Sequence, residues 1–344
     1  MVRTRPTYIY LPDTAAGWPF PRTVNPYYEE TKAESEAWIS SLYPFDAYVQ
    51  KKFNACDFTL LASMAYPWLS KDHIRTGADL MMLFFVFDEY SDVASVKDAQ
   101  EMVDIVMDAL RNPHKPRPKD ENILGEIAKQ FWERGVKTAS APSARRFVDY
   151  FEGYLKSVVE QAQDREHNRI RSIAEYFDVR RLTVGARPSY ALMELGMNIP
   201  DEVWEDPAME IMAVCVTDMI ILDNDMLSWN VEQSRGDDAH NIVRIVMEAN
   251  KTDVASAMKW VEDYHNLLKK TFLDVYNSVP SWGPEVDAQV QEYARGLGNW
   301  VICNISWSFE SARYFGKEGR RIREERVVAI LDKPVLVGVL ESDA

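Results

Sequence analysis

The sequence predicts an all-α protein, and three features carry that prediction. Hydrophobic residues recur at helical spacing over long stretches, no stretch shows the sustained alternation of a half-buried strand, and the connections are short and polar or proline-bearing. The chain has 344 residues, 47% hydrophobic and 27% charged, enough to bury a sizeable core as one large domain or two small ones. No connection is long or biased enough to be an interdomain linker, so a single domain over 1–344 is expected, with an extended N-terminal segment over 1–26 and a C-terminal tail over 327–344.

The elements justify this in order. The start, Met1 to Asn25, carries Pro6, Pro12, Pro19 and Pro21 with scattered charges and lacks the basic-then-apolar pattern of a signal peptide. Breaks rich in Pro, Gly, Ser, Asn or Asp fall at 111–120, 139–143, 198–206, 234–239 and 278–284. Between them, Leu80 to Phe87 and Met209 to Leu222 are apolar almost all round, as helices in the centre of a bundle are. Val327 to Leu340 is apolar and interrupted by Pro334, and reads as a terminal helix or as a tail packed over the domain.

Composition removes several function classes. A formal charge of −15 repels nucleic acid and anionic lipid, and the run Arg320 to Arg326 is short and mixed with Glu. No run of about 18 uncharged apolar residues suggests a spanning helix, so the cytoplasm is the expected location. Cys56, Cys215 and Cys303 are odd in number and far apart, which suggests core residues rather than disulfides or a zinc site. On so acidic a chain an anionic substrate needs cations of its own, and metal ions held by carboxylates are one source.

Both apolar helices run directly into clusters of oxygen-bearing side chains. Asp88 and Asp92 of DEYSD are four apart on one helix face, able to converge on hard cations, while Glu89 points elsewhere. An isolated acidic pentapeptide is more often a solvated helix end, and the second cluster changes that weighing. Asn224, Ser228 and Glu232 lie at i, i+4 and i+8 and drift by only about 40° per step, so an amide, a hydroxyl and a carboxylate line one stripe. Few charges and several oxygens suit a magnesium ion that keeps waters and shares phosphate oxygens. Two such clusters beside an apolar space could grip a diphosphate and house a hydrocarbon.

At these residues the sequence resembles the class I terpene synthases, and more closely the fungal sesquiterpene cyclases. Four ordered motifs covering nearly the whole chain carry the resemblance: Asp88 to Asp92, Asn224 to Glu232 some 136 positions on, Arg181 with Val184 and Gly185 in RRLTVG, and Arg313 with Tyr314 in WSFESARYFG. The resemblance implies three Mg²⁺ ions, replaceable by Mn²⁺, with Asp88 bridging, Asp92 assisting, and Asn224, Ser228 and Glu232 holding one. It implies that Arg181 senses the diphosphate, that backbone near Gly185 moves towards the ionising carbon, and that Arg313 and Tyr314 donate to diphosphate oxygens. The alternative for Arg313 is a surface ion pair with Glu310.

Many relatives carry a lysine where this chain has Val231, and Arg235, one turn beyond Glu232, is the candidate replacement. Phe85 and Trp307 are the candidate cavity walls able to stabilise a cation, with Phe84, Phe309, Phe58 and Trp68 as further candidates; His240 reads as structural.

The expected activity is ionisation of a prenyl diphosphate, farnesyl diphosphate by resemblance, followed by cyclisation to a sesquiterpene of protoilludene or other 1,11-closed type, the enzyme being a monomer or homodimer. A chain-elongating prenyl diphosphate synthase usually carries two aspartate-rich motifs, which this chain does not. A non-enzymatic helical binding protein explains neither the apolar helices leading into each cluster nor the basic partners downstream.

Overall fold

Helix boundaries fall where the sequence supplies caps. Ser140 accepts from Ser143 N, Ser172 and Glu175 form a reciprocal capping box, and Asp206 accepts from Ala208 N with Pro207 opening the helix behind it. At the other end of that helix Gly236, at φ +84°, terminates it. The computed structural model describes residues 8–332. Strand β1 (Tyr8–Tyr10) leads by an irregular stretch to α1 (Tyr28–Ser41), α2 (Ala47–Ala55) and α3 (Phe58–Ala65). There follow α4 (Lys71–Ser91), α5 (Val96–Arg111), α6 (Leu124–Gly135) and α7 (Ala141–Glu166), then α8 (Ile173–Thr183), α9 (Ala186–Ala191), α10 (Asp201–Trp204) and α11 (Pro207–Arg235). The chain ends through α12 (Ile242–Asn250), α13 (Val254–Tyr276), α14 (Pro284–Glu310), α15 (Gly319–Glu325) and β2 (Val327–Ala329).

The two apolar helices are central, as their composition requires. Every residue of α4 from Ile74 to Phe84 is buried, and so is nearly all of α11 from Cys215 to Asn230; both belong to the same hydrophobic core. α4 packs on α1, α3 and α6, and α11 packs on α13 and α14. Fully buried Asp79 fixes the rotation of α4: it accepts from Arg75 Nε at 2.9 Å, from Arg134 Nε of α6 at 2.9 Å and from Ser35 Oγ of α1 at 2.8 Å. Among the described residues no helix is long and apolar enough to cross a membrane.

The structure departs from the sequence reading in two places. The break at 198–206 contains the short helix α10, and the start of the tail is a strand rather than a helix. β2 pairs antiparallel with β1 in the register Tyr8↔Ala329, Ile9↔Val328, Tyr10↔Val327. Three-residue strands are too short to show alternation, and their pairing joins the two ends of the chain, so no local pattern could announce it. The rest of the tail, 333–344, lies outside the described residues.

After β2 the backbone is clamped to the back of α11. Asn230 Nδ2 donates to Ala329 O at 2.9 Å and Asn230 Oδ1 accepts from Leu331 N at 2.9 Å, while Gln233 Nε2 donates to Leu331 O at 2.8 Å. Asn230→Leu removes two part-buried hydrogen bonds, and is expected to lower stability by about 1–3 kcal/mol, measured by urea denaturation.

Candidate active site

The end of α4 carries the first cluster. Asp88 keeps 44% of its side-chain surface accessible although the fold surrounds it, which places its carboxylate on a concave wall rather than on an outer surface. Desolvation raises its pKa, with Arg313 and Arg180 opposing. Asp92, one turn on at the helix end, is pushed up to about 7 by desolvation and by the charge of Asp88. Glu89 does not point away as expected: it reaches Arg313 Nη1 at 3.4 Å, beside the 3.6 Å approach of Asp88 to Arg313 Nη2.

The second cluster lies along one stripe of α11. Asn224 Oδ1 accepts from Arg180 Nη2 at 2.7 Å and Asn224 Nδ2 donates to Tyr314 Oη at 2.7 Å. One and two turns further, Asn241 Nδ2 reaches Ser228 Oγ at 3.4 Å and Glu232 Oε2 at 2.9 Å, tying these two residues together. Burial, and then the charge of Asp225, push the Glu232 carboxyl up to about 7. Asp225, about 100° round the helix from Asn224, turns inward, where it accepts from Tyr176 Oη, from Arg180 Nη2 at 3.2 Å and from Ile242 N at 2.7 Å. Its role is to lock α11 to α8 and to the start of α12.

Arg313 and Tyr314 follow the end of α14, where Ser311 turns the backbone to the extended region. These two consecutive residues join the clusters, Arg313 on Asp88 and Glu89, Tyr314 on Asn224. Glu310, the alternative partner of Arg313, is held instead by Arg22 at 2.6 Å and Arg323 at 3.3 Å. Beneath them lies an aromatic wall. The Arg313 guanidinium carbon is 5.4 Å from the Phe85 ring centroid, Phe85 stacks on Phe58 at 3.9 Å, and Trp307 lies 5.8 Å from Phe85 and 6.1 Å from Tyr314. Trp307 is pinned by its indole N–H, which donates to Cys56 O at 2.8 Å and Asp57 O at 3.1 Å.

The RRLTVG segment requires a correction. Arg181, expected at the site, points away from it: its Nε and Nη2 grip Asp218 at 2.7 and 2.8 Å and its guanidinium lies over the Phe177 ring. Arg180 occupies the position expected of Arg181, because neighbours on a helix differ by about 100° and buried Tyr176 and Phe177 set the phase. Burial works against the charge on Arg180, but Asp225, Tyr176 and Glu232 outweigh it and its pKa is raised. Gly185 does break the helix, at φ +69° between α8 and α9, and a Cβ there would lie 3.2 Å from the Phe84 ring. Gly185→Ala is therefore expected to lower stability by about 1–2 kcal/mol, read as a fall in Tm.

Two other expected residues are not brought in. Arg235 ends α11 exposed, with no hydrogen bond or ion pair among the described residues. Trp68 is exposed and covered by Arg295 at 3.4 Å, away from the clusters. His240 is half-buried beside Tyr176, its pKa pushed down to about 3 by desolvation and by Arg180, Arg171 and Arg165. Sequence reasoning missed Arg180, Asn241 and Arg165, whose Nη2 donates to Ser91 O at 2.8 Å and closes the end of α4. Asn241 had a legible signal as the cap before the apolar run IVRIV; Arg165 had none.

Among the described residues no three acidic, His or Cys side chains converge as in a self-sufficient metal centre. The donors form two half-sites, carboxylates on α4 and an amide, a hydroxyl and one carboxylate on α11. Asp88, Asp92 and Glu232 are all held where their charge is disfavoured. This donor set fits hard cations that complete their shell with water and ligand oxygens.

The comparisons agree. The family model "Terpene synthase family 2, C-terminal metal binding" matches residues 79–270. A Delta(6)-protoilludene synthase of Stereum hirsutum is 53% identical over 94% of this chain and 88% of its own length, and one of Armillaria gallica is 50% identical over 95% of each. The linalool/nerolidol synthase of Streptomyces clavuligerus shares the fold at TM-score 0.76 and 20% identity, over 85% of this chain and 99% of that one. This chain belongs to the metal-binding terpene synthase family, among the fungal sesquiterpene cyclases.

Proposed function

We propose that this chain, acting as a single cytoplasmic domain, ionises farnesyl diphosphate with Mg²⁺ and closes the chain to a protoilludene-type sesquiterpene. The observation that carries the site assignment is the bridge made by Arg313 and Tyr314, which touches both clusters and so defines one mouth. The names of the relatives support the substrate class and the product type.

In this reading Asp88 and Asp92 on one side, and Asn224, Ser228 and Glu232 on the other, would hold the three Mg²⁺ ions. When bound, the metal neutralises the diphosphate and makes it a competent leaving group. Arg180 and Arg313 offer guanidinium donors to the diphosphate from opposite walls, and Tyr314 adds a hydroxyl. Arg180 replaces Arg181 in the sensing role. Ser189 Oγ donates to Gly185 O at 2.7 Å and aims the carbonyl of the helix break. Departure of the diphosphate leaves an allylic cation, which Phe85 and Trp307 stabilise through their ring faces by about 0.5–2 kcal/mol each. Apolar walls exclude water until a proton is lost.

The test is incubation of the purified protein with farnesyl diphosphate in Mg²⁺, with gas chromatography and mass spectrometry of the extract. A cyclic hydrocarbon that disappears on chelation is the expected result. Conversion of geranyl or geranylgeranyl diphosphate alone would move the substrate assignment, and a linear chain-extended diphosphate would overturn cyclisation.

A further inference from the structure

Asp88 lies within α4, but Asp92 is its C-terminal cap and opens the short turn 92–95 that leads into α5. The Asp92 N–H still donates to Asp88 O at 2.9 Å, while the next residue, Val93, is 87% exposed. A carboxylate on an exposed turn is ordered only as well as the turn is, and the local bonds of this one are long. Ala94 N reaches Ser91 O at 3.2 Å, and Ser95 Oγ accepts from Asp98 N at 3.2 Å.

The end of α7 holds that turn from outside. Arg165 Nη2 donates to Ser91 O at 2.8 Å, and the next residue, Glu166, accepts from Val96 N at 3.0 Å through Oε1. Two consecutive side chains thus take the last residue before the turn and the first residue after it. Their own helix end is fixed in turn. Buried Arg171 donates through Nε to buried Asp164 and through Nη2 to Glu160 at 2.7 Å, and the backbone folds back at Asn168, φ +50°, so that Arg169 N donates to Asp164 O at 2.9 Å. Desolvation and the charge of Asp88 push the Asp92 pKa up, and Arg165, ahead of Arg313, works against them.

We propose that Arg165 and Glu166 form a clamp that positions Asp92 as a metal ligand, and so set the Mg²⁺ affinity of the first half-site without touching metal or substrate. The inference rests on the cyclase reading above. Asp88 needs no such help, because its backbone lies inside the hydrogen-bonded ladder of α4. Asp92 does, because a ligand on a loose turn must be ordered each time a cation binds. Both are positioning residues acting through Asp92. Groups that orient a metal ligand from behind typically change metal affinity by about 10–100-fold.

Calorimetric titration of Mg²⁺ in the presence of inorganic diphosphate reads this without turnover. Arg165→Met keeps the stem and removes the donor. It should weaken Mg²⁺ binding about tenfold and raise the Mg²⁺ concentration for half-maximal cyclisation by the same factor, with KM for farnesyl diphosphate at saturating Mg²⁺ unchanged. Glu166→Ala should act in the same direction, and Glu166→Gln, whose amide oxygen still accepts from Val96 N, should restore wild-type affinity. The deciding comparison is the Asp92→Ala background, where Arg165→Met should add no further loss because the residue it positions is gone. Losses that multiply in the double variant, a raised farnesyl diphosphate KM at saturating Mg²⁺, or a Glu166→Ala protein of wild-type affinity each overturn the proposal. Should Arg165→Met not fold, the two Glu166 variants carry the test. A wild type that binds Mg²⁺ with diphosphate but forms no cyclic product refutes the cyclase reading, and the calorimetric comparison still decides the clamp.

Discussion

Arg180→Gln is expected to lower kcat/KM by about 10²–10³-fold, whereas Arg181→Gln should register mainly as a loss of stability. The two side chains are neighbours in sequence with different surroundings. Arg180 meets Asn224 and Asp225 and lies in the field of Asp88, so it stands between the two clusters with donors free to turn to an anion. Arg181 has its fork closed on Asp218, with Tyr264 Oη also 3.3 Å from that carboxylate, and faces away. Removing Arg180 also leaves Asp225 without its cation, which for a buried pair costs about 3–5 kcal/mol. Tyr176 and the N–H of Ile242 soften that loss, since they still donate to Asp225.

Activity must therefore be read beside Tm. The informative companion is Arg180→Lys, which restores the charge but not the two-pronged geometry, and should recover stability further than turnover. A larger turnover loss in Arg181→Gln than in Arg180→Gln would return the sensing role to Arg181.

The difference between these two arginines also shows where the sequence stops being informative. Clusters on α4 and α11 were legible because their periodicity is local: Asn224, Ser228 and Glu232 share a stripe on any helix, whatever packs around it. Which member of an Arg-Arg pair enters a site depends on helix phase, and that is set by the burial of Tyr176 and Phe177, a tertiary fact. The same limit hid the divergence of Asn224 and Asp225, adjacent residues of which one faces the mouth and the other the core. It hid Glu89 as well, whose approach to Arg313 spans the fold. Arg235 was inferred from spacing to Glu232, but the helix ends at that residue and leaves it in solvent. The tail strand depends on a partner at the other end of the chain, so no window of sequence contains the reason for it.

Asn224→Ala is expected to lower product formation by about 10³-fold or more, to the level reached by chelating the metal from the wild type. The amide of Asn224 has two functions in the geometry. Its oxygen takes a hydrogen bond from Arg180 and its nitrogen gives one to Tyr314, so the side chain is the junction at which α8, α11 and the segment after α14 meet. In the proposed site the same oxygen would help to hold a cation, and Arg180 would offer its donors to the diphosphate. Alanine removes the ligand and the junction together.

Because Asn224 joins Arg180 to Tyr314, its loss should cost some stability as well as turnover, whereas the loss of Asn230 on the same helix should cost stability alone. Asn230 is the same residue type six positions on, but it lies about 120° round α11 and holds the C-terminal strap. Asn230→Leu should fall in stability with the product unchanged, while Asn224→Ala, folded but with a lower Tm, should lose both turnover and the calorimetric heat of Mg²⁺ binding in the presence of inorganic diphosphate. If the Asn224 variant retains that heat, the second half-site is not built on this stripe, and Asp88 with Asp92 must hold the metal without it.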